Sequence, residues 1–234
     1  MNKKTEFVTF LLISPNKFSI SVLNFFSLKE DYFEEKLFEK SIDLYDPQIL
    51  NEFLEMNIFK IEKKIQSFVK EIIIILDSKD FFEINFSTKN KNFDNNLNID
   101  SLTLLLNDAR YQCRQTYKDK KIIHMIINNY IIDNKLYSSM PVNVDCKDLS
   151  LELRFICLSN KVEKYFEESL IKYQISISKF ISARYLSEIF PHQEKNIFWY
   201  AKDLMDGFNK NEVTLINKSL KNEGFFEKFF NFFN

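Results

Sequence analysis

The side chains best suited to chemistry are few in this chain and lie far apart. The only histidines are His124 and His192, and the cysteines are Cys113, Cys146 and Cys157. A catalytic dyad or a metal site needs several such groups together, and neither histidine has a second one near it in the sequence. We therefore predict no catalytic residue, no metal site and no cofactor. An enzyme whose site is assembled from residues scattered along the chain stays open.

The local sequence around most of these groups favours a structural role. His124 lies in an apolar run that predicts a strand, so we expect it in the core or at a strand edge, whereas His192 is expected to be exposed. Cys113 lies on the apolar face of a predicted helix and Cys157 on the apolar side of a predicted strand, which favours core residues over nucleophiles. Cys146 has polar neighbours, and we expect it to be the one reactive thiol.

The composition excludes several classes of ligand. The chain has two glycines, Gly207 and Gly224. A P-loop or a dinucleotide fingerprint needs several glycines close together, so that backbone N–H groups can reach phosphate oxygens. Lys plus Arg number 32 and Asp plus Glu number 33, which gives no basic excess for nucleic acid, so we expect no nucleic-acid partner. No CxxC pair occurs, and a reducing compartment is expected.

The periodicity of the apolar residues predicts an α+β fold. Phe7 to Ile13 and Phe18 to Val22 predict an N-terminal β-hairpin around a turn at Ser14-Pro15-Asn16-Lys17. Asp46 and Pro47 predict the start of an amphipathic helix. Its apolar face follows steps of three and four residues: Leu50, Leu54, Ile58, Ile61, Ile65 and Phe68.

The rest of the chain alternates predicted strands and helices. Strands are predicted at Ile72–Leu76, Phe81–Phe86, Lys121–Ile127, Leu149–Leu158 and Ile175–Phe180, a short hairpin at Tyr130–Lys135, and helices after Asp100, after Asn160 and over Glu194–Met205. We divide the chain into a β-hairpin region (1–45), an α/β core (46–190) and a helical tail (191–234).

The C-terminal phenylalanines give the clearest functional signal. On a helix they share one face: Phe225, Phe226, Phe229, Phe230 and Phe233. Such a short amphipathic helix can lie in a membrane interface, and Lys221 and Lys228 would contact anionic lipid. The helix could instead dock on the body of its own protein or in the groove of a partner.

The order of these elements resembles the bacterial cell-division protein FtsA, an actin-like protein that ties the FtsZ ring to the inner membrane. Leu11–Phe18 occupies the place of that family's first phosphate loop, and Ile58–Asp77 resembles the helix and strand that open its inserted subdomain. Ile122–Asp133, Leu149–Leu158 with Pro141, and Ile175–Ala183 resemble the later strands of that subdomain. The Phe-rich tail resembles the membrane-targeting helix of the family.

The departures from the family pattern concern nucleotide binding. Ser14-Pro15-Asn16-Lys17 lacks the Asp-x-Gly-Thr/Ser sequence that cradles phosphate. Asn134 stands in place of the turn glycine and Val142-Asn143 in place of Gly-Met. The half of the family's sequence that carries the second phosphate loop, the adenosine pocket and the main FtsZ-binding surface has no counterpart. The resemblance therefore implies a reduced adaptor that binds no ATP.

The resulting hypothesis is a non-catalytic FtsA-like adaptor. It would be peripheral to the cytoplasmic face of a bacterial inner membrane through its C-terminal helix and act in cell division, with FtsZ or copies of itself as partners. The alternative is a soluble cytoplasmic interaction domain whose C-terminal helix docks on a partner.

Overall fold

The computed structural model describes residues 7–91, 99–141, 144, 146–192 and 195–213. The strands within these residues are β1 (Phe7–Ser14), β2 (Lys17–Asn24), β3 (Lys29–Leu37), β4 (Glu71–Leu76), β5 (Phe81–Lys91), β6 (Lys120–Ile132), β7 (Lys135–Tyr137), β8 (Asp148–Ser159) and β9 (Ser176–Ser182). The helices are α1 (Pro47–Ile65), α2 (Ile99–Thr116), α3 (Asn160–Ile171), α4 (Ala183–Ile189) and α5 (Ile197–Met205). The predicted α+β class is confirmed.

A five-stranded mixed sheet has the order β3-β2-β1-β4-β9. β1 pairs antiparallel with β2 and parallel with β4, and β4 pairs parallel with β9. Because β1, β4 and β9 run in the same direction, their ends meet at two opposite edges. The carboxyl-end edge is where these strands finish, at Ser14, Leu76 and Ser182. The amino-end edge is where they begin, at Phe7, Glu71 and Ser176.

Both faces of the mixed sheet are covered. In β4, Ile72 and Ile74 pack in a core with residues of α1 and α3, whereas Ile73 and Ile75 pack in a core with residues of α4 and α5. A strand buried on both faces reads as a continuous apolar run, which explains the unbroken isoleucines of β4. The sheet therefore holds the carboxyl-end edge and the amino-end edge at opposite ends of its parallel strands.

α1 begins where the sequence predicts, but it ends before its apolar pattern does. Asp46 is the N-cap and its side chain accepts a hydrogen bond from the Gln48 N–H at 2.9 Å. The helix ends at Ile65, because Gln66 adopts a left-handed conformation with φ of 53°. Phe68, predicted on the buried face, therefore lies outside the helix and is 78% exposed. This part of the prediction is wrong, since the periodic pattern continues past the helix.

A four-stranded antiparallel sheet, ordered β5-β8-β6-β7, is inserted between β4 and β9. Alternate residues of β8 (Leu149, Leu151, Leu153, Phe155 and Cys157) pack in one core with α2. The β6–β7 hairpin turns at Asp133 and Asn134, which have φ of 46° and 66°. Asn tolerates this left-handed conformation, so the turn forms without a glycine.

The chain returns to the junction of the two sheets after α5. Ile127 N–H donates to Asn211 O at 2.9 Å, and Val213 N–H donates to Met125 O at 2.8 Å. These bonds attach residues 211–213 to the free edge of β6. No helix among the described residues is long and apolar enough to cross a bilayer.

Candidate functional site

A cleft of about 380 Å³ lies at the carboxyl-end edge of the mixed sheet. Ligands of open α/β sheets bind outside the carboxyl ends of the parallel strands, so this edge is the first place to look for a ligand site. The cleft is lined by residues from β1, the start of β2, the residue after β4, α4 and the start of α5: Leu12, Ser14, Lys17, Asp77, Arg184 and Asn196, among others.

The β1–β2 turn closes one wall of this cleft. Ser14 Oγ donates to Lys17 O at 3.0 Å and accepts from Lys17 N–H at 3.1 Å. Pro15, inside the turn, has no N–H. The carbonyls of Pro15 and Asn16 accept hydrogen bonds from the N–H groups of Ile42 and Phe38, each at 2.9 Å. The turn is therefore stabilised internally and is not an open loop that could wrap around phosphate.

The cations of the cleft already face carboxylates of the same chain. Lys17 Nζ lies 3.0 Å from Glu35 Oε2, and Arg184 Nε lies 3.4 Å from Glu188 Oε1. Hydrogen bonding from Lys17 holds the pKa of Glu35 below its usual range, against the effect of burial. A ligand anion would have to compete with these carboxylates for both cations.

A buried polar cluster lies behind α4, at the end of β9. His124 Nδ1 is 2.8 Å from Glu212 Oε1, and His124 Nε2 accepts from the Ser182 N–H at 3.1 Å. Tyr185 OH donates to Glu212 Oε2 at 3.0 Å and accepts from Asn209 Nδ2 at 2.8 Å. Because Nε2 accepts a backbone hydrogen bond, the proton of the neutral ring lies on Nδ1 and is donated to Glu212.

The electrostatics keep this histidine neutral. Burial lowers the pKa of His124, Lys179 and Arg154 act in the same direction, and Glu212 opposes them. Burial alone would raise the pKa of Glu212, but hydrogen bonds from His124 and Tyr185 and the charge of Lys179 hold it below its usual range. The core position predicted for His124 is confirmed. Both of its ring nitrogens are occupied, so the imidazole has no free lone pair to offer a substrate.

The cysteines separate into two confirmed predictions and one error. Cys113 and Cys157 are buried as predicted, and burial raises the pKa of Cys157 to about 12. Cys146, predicted to be reactive, is fully buried, and burial followed by the charges of Asp133 and Asp148 raises its pKa. The Asp133 carboxylate accepts from the N–H groups of Lys147 and Asp148, next to Cys146, and Cys146 itself packs in the core of the four-stranded sheet. A polar local sequence could not reveal this packing.

The remaining site predictions have different outcomes. His192 is exposed, as predicted. The predicted membrane-binding residues lie outside the described residues: Lys221, Phe225, Phe226, Lys228, Phe229, Phe230 and Phe233. Within the described part of the chain, no group of three His, Cys, Asp or Glu side chains could hold a metal ion.

The Glu212–His124 pair gave no sequence signal. The two residues are 88 positions apart in the sequence. The residues around Glu212 are polar, which predicts an exposed side chain. Only the return of residues 211–213 to β6 brings the carboxylate to the histidine.

The sequence matches no known protein family. No curated protein matches it either.

Three solved structures have a similar arrangement of elements. A chain of a PilM–PilN type IV pilus biogenesis complex is 5% identical, with a TM-score of 0.47, 79% of this chain covered and 49% of that one. The cytoplasmic domain of EpsL, an inner membrane component of the type II secretion system of Vibrio cholerae, is 9% identical, with a TM-score of 0.37 and coverages of 80% and 60%. A Bacteroides thetaiotaomicron protein with an actin-like ATPase fold and unknown function is 13% identical, with a TM-score of 0.34 and coverages of 82% and 58%.

These similarities concern structure alone. This chain spans between 49% and 60% of the length of the three chains. All three TM-scores are below 0.5, and nothing about the activity or partners of this chain follows from them. The resemblance to FtsA in particular stays a prediction.

Proposed function

We propose that this chain is a non-catalytic adaptor that binds proteins at the cytoplasmic face of a bacterial inner membrane. The observation that carries the proposal is the closed β1–β2 turn at the carboxyl-end edge. Ser14 satisfies the Lys17 backbone, and Glu35 pairs with the Lys17 side chain. A turn whose polar groups are engaged within the chain favours a scaffold over a nucleotide enzyme.

Membrane attachment belongs to the same proposal and depends on the C-terminal sequence. Phe225, Phe226, Phe229, Phe230 and Phe233 would insert into the interface, with Lys221 and Lys228 close to anionic headgroups. From the resemblance to FtsA, we propose a role in cell division, with FtsZ or other copies of this chain as the protein partner.

Calorimetric titration with ATP and Mg²⁺ tests the non-catalytic part. We expect no binding heat at millimolar nucleotide and no phosphate release above that of buffer. The matched variant Lys17→Ala, which removes the cation nearest the turn, should give the same result. Saturable ATP binding that Lys17→Ala abolishes would show that the cleft is a working nucleotide site.

Vesicle sedimentation tests the membrane part. The full chain should pellet with vesicles of phosphatidylglycerol and phosphatidylcholine, and Phe229→Glu should pellet much less. Asn231→Glu is the matched control, because it adds the same charge on the predicted polar face and should retain binding. If Phe229→Glu and Asn231→Glu bind like the unchanged chain, the helix docks on protein, as in the alternative function.

A further inference from the structure

β5 forms a free edge of the four-stranded sheet. Its eleven residues, Phe81–Lys91, pair with β8 without a register shift. Among the described residues β8 is the only strand that pairs with it, so the backbone groups on the other side of β5 have no strand partner there. Such an edge can bind another strand, and proteins commonly block it with a proline, a bulge or a short strand. β5 has none of these three features.

α2 forms a wall beside this edge. Tyr117 N–H donates to Cys113 O at 2.9 Å, so Tyr117 continues the last turn of the helix. Its ring contacts the ring of Phe82 in β5, with the centroids 5.5 Å apart. Phe82 is 42% exposed and pairs with Cys157, which packs in the core beneath α2. A groove with an apolar end therefore runs between α2 and the edge of β5.

Two arginines of α2 lie on the side of the helix that faces this groove. Arg110 and Arg114 precede Tyr117 by seven and three positions, which places all three side chains on one side of the helix. Neither arginine forms an ion pair with any residue that the structure describes. The other two arginines of the chain, Arg154 and Arg184, both pair with glutamates.

The two unpaired arginines disfavour one another. Arg110 is half-buried and Arg114 is exposed. Like charges four residues apart on a helix are destabilising. Burial, and then the charge of Arg114, lowers the pKa of Arg110. Both effects act against the charged form of the Arg110 side chain, and a carboxylate bound between the two guanidinium groups would relieve them.

The charges of α2 and the turn after it favour an acidic partner. From Leu102 to Lys120 the sequence has four basic and two acidic residues, an excess of two positive charges: Arg110, Arg114, Lys118 and Lys120 against Asp108 and Asp119. Asp119 pairs with Lys120 at 3.1 Å. Asp108 lies two positions before Arg110, and residues with this spacing do not face each other on a helix.

The charged residues Glu83 and Lys89 of β5 do not change this balance. They lie on the other face of the sheet, where they pair with Arg154 at 3.7 Å and with Asp148 at 3.5 Å. The residues of β5 that share a face with Phe82 are uncharged: Ile84, Phe86, Thr88 and Asn90.

We propose that the groove between α2 and β5 binds an extended, acidic segment of a partner protein. The segment adds a strand to the free edge of β5, and its carboxylates contact Arg110 and Arg114. An apolar side chain of the segment packs against Phe82 and Tyr117. Backbone pairing supplies affinity in this mode of binding, and the side-chain contacts supply specificity. The inference rests on the proposed adaptor function and deepens it, because it gives the protein partner a binding surface and a chemistry.

Selection from a phage-displayed library of random decapeptides on the full chain tests the chemistry of the partner. We expect enriched peptides in which two or more carboxylates alternate with apolar residues. The groove variant combines Arg110→Glu and Arg114→Glu. Its matched control combines Lys60→Glu and Lys64→Glu, which reverse two exposed charges at the same spacing on α1. Circular dichroism establishes that both variants fold.

The selected peptide should bind the groove variant at least about tenfold more weakly than the unchanged chain, and the control should stay within about twofold. N-methylation of alternate backbone positions of the peptide tests strand addition. Methylation of one set of positions should abolish binding and methylation of the other set should retain it, because only alternate residues of a strand pair with a given neighbour.

Four results would overturn the proposal: no enriched peptide, enriched peptides without carboxylates, equal binding by the groove variant and its control, or retained binding by both methylated peptides. If the unchanged chain forms a dimer and the groove variant does not, a second copy of the chain fills the groove and the assigned partner is wrong. If no peptide is enriched but the chain sediments with vesicles and binds no ATP, the proposed function stands without this groove. Saturable ATP binding by the unchanged chain contradicts the proposed function whatever the peptides show.

Discussion

The two edges of the mixed sheet use polar and apolar side chains in opposite ways. At the carboxyl-end edge, Lys17 pairs with Glu35, and behind α4 the buried His124 satisfies Glu212. At the amino-end edge, Phe68, in the connection before β4, is exposed. Ligands of open α/β sheets bind at the carboxyl-end edge, and in this chain Lys17 at that edge already pairs with a carboxylate of the same chain.

The largest predicted effect concerns the buried cluster. Glu212→Ala leaves the Nδ1–H of His124 and the OH of Tyr185 without an acceptor, so the free energy of unfolding should fall by roughly 2–4 kcal/mol. Phe68→Ser, at the exposed edge, should change it by less than about 0.5 kcal/mol. Urea denaturation measures both.

Glu212→Gln is the matched control for this prediction. It keeps one oxygen acceptor in the cluster and should lose less stability than Glu212→Ala. Equal losses for Phe68→Ser and Glu212→Ala would remove the distinction between the two edges.

The pH dependence of stability should come from the carboxyl-end side. Because burial lowers the folded-state pKa of His124 below the ordinary histidine value of 6.5, the unfolded chain binds more protons below that pH. The stabilisation is fully present above pH 6.5 and is lost as the pH falls through the depressed folded pKa, by at most about 1.4 kcal/mol per pH unit.

The slope of unfolding free energy between pH 7.5 and pH 5.5 measures this effect. His124→Gln, which cannot titrate, should have a shallower slope in this window, although it is less stable throughout. An unchanged slope would mean that other groups control the acid sensitivity.

The smallest predicted effect compares the two hairpin turns. Phe26→Ser, in the exposed β2–β3 turn, should leave the unfolding free energy within about 0.5 kcal/mol of the unchanged chain. Ser14→Ala, in the β1–β2 turn, should lower it by about 1 kcal/mol, because the Ser14 hydroxyl is hydrogen-bonded to the Lys17 backbone. Urea denaturation measures both, and equal losses would contradict the difference between the two edges.

The elements with strong local signals were predictable from the sequence. The hairpin turn at Pro15, the Asp46 N-cap of α1 and the alternation of β8 each depend on neighbouring residues, and the structure has all three. α4 was missed, because its seven residues give too short a periodic pattern between β9 and Pro191. The order of strands in the sheets was also not predicted, since pairing depends on distant contacts.

The environments of Phe68, Cys146 and Glu212 could not be predicted from the sequence. Phe68 reads as core because its spacing continues the pattern of α1, and only the left-handed Gln66 takes it out of the helix. The polar neighbours of Cys146 predict exposure, but its side chain packs in the core of the four-stranded sheet. Glu212 and His124 meet through tertiary contacts that no local pattern encodes.

The most direct test of the account is the depth of single tryptophans in a bilayer. In a Trp199→Phe background, which removes the only tryptophan, Phe229→Trp would report on the predicted C-terminal helix and Arg184→Trp on the rim of the cleft. With anionic vesicles that contain brominated lipid, the account predicts quenching and a blue shift at position 229 and neither at position 184. Equal quenching at the two positions, or quenching at 184 alone, would contradict it.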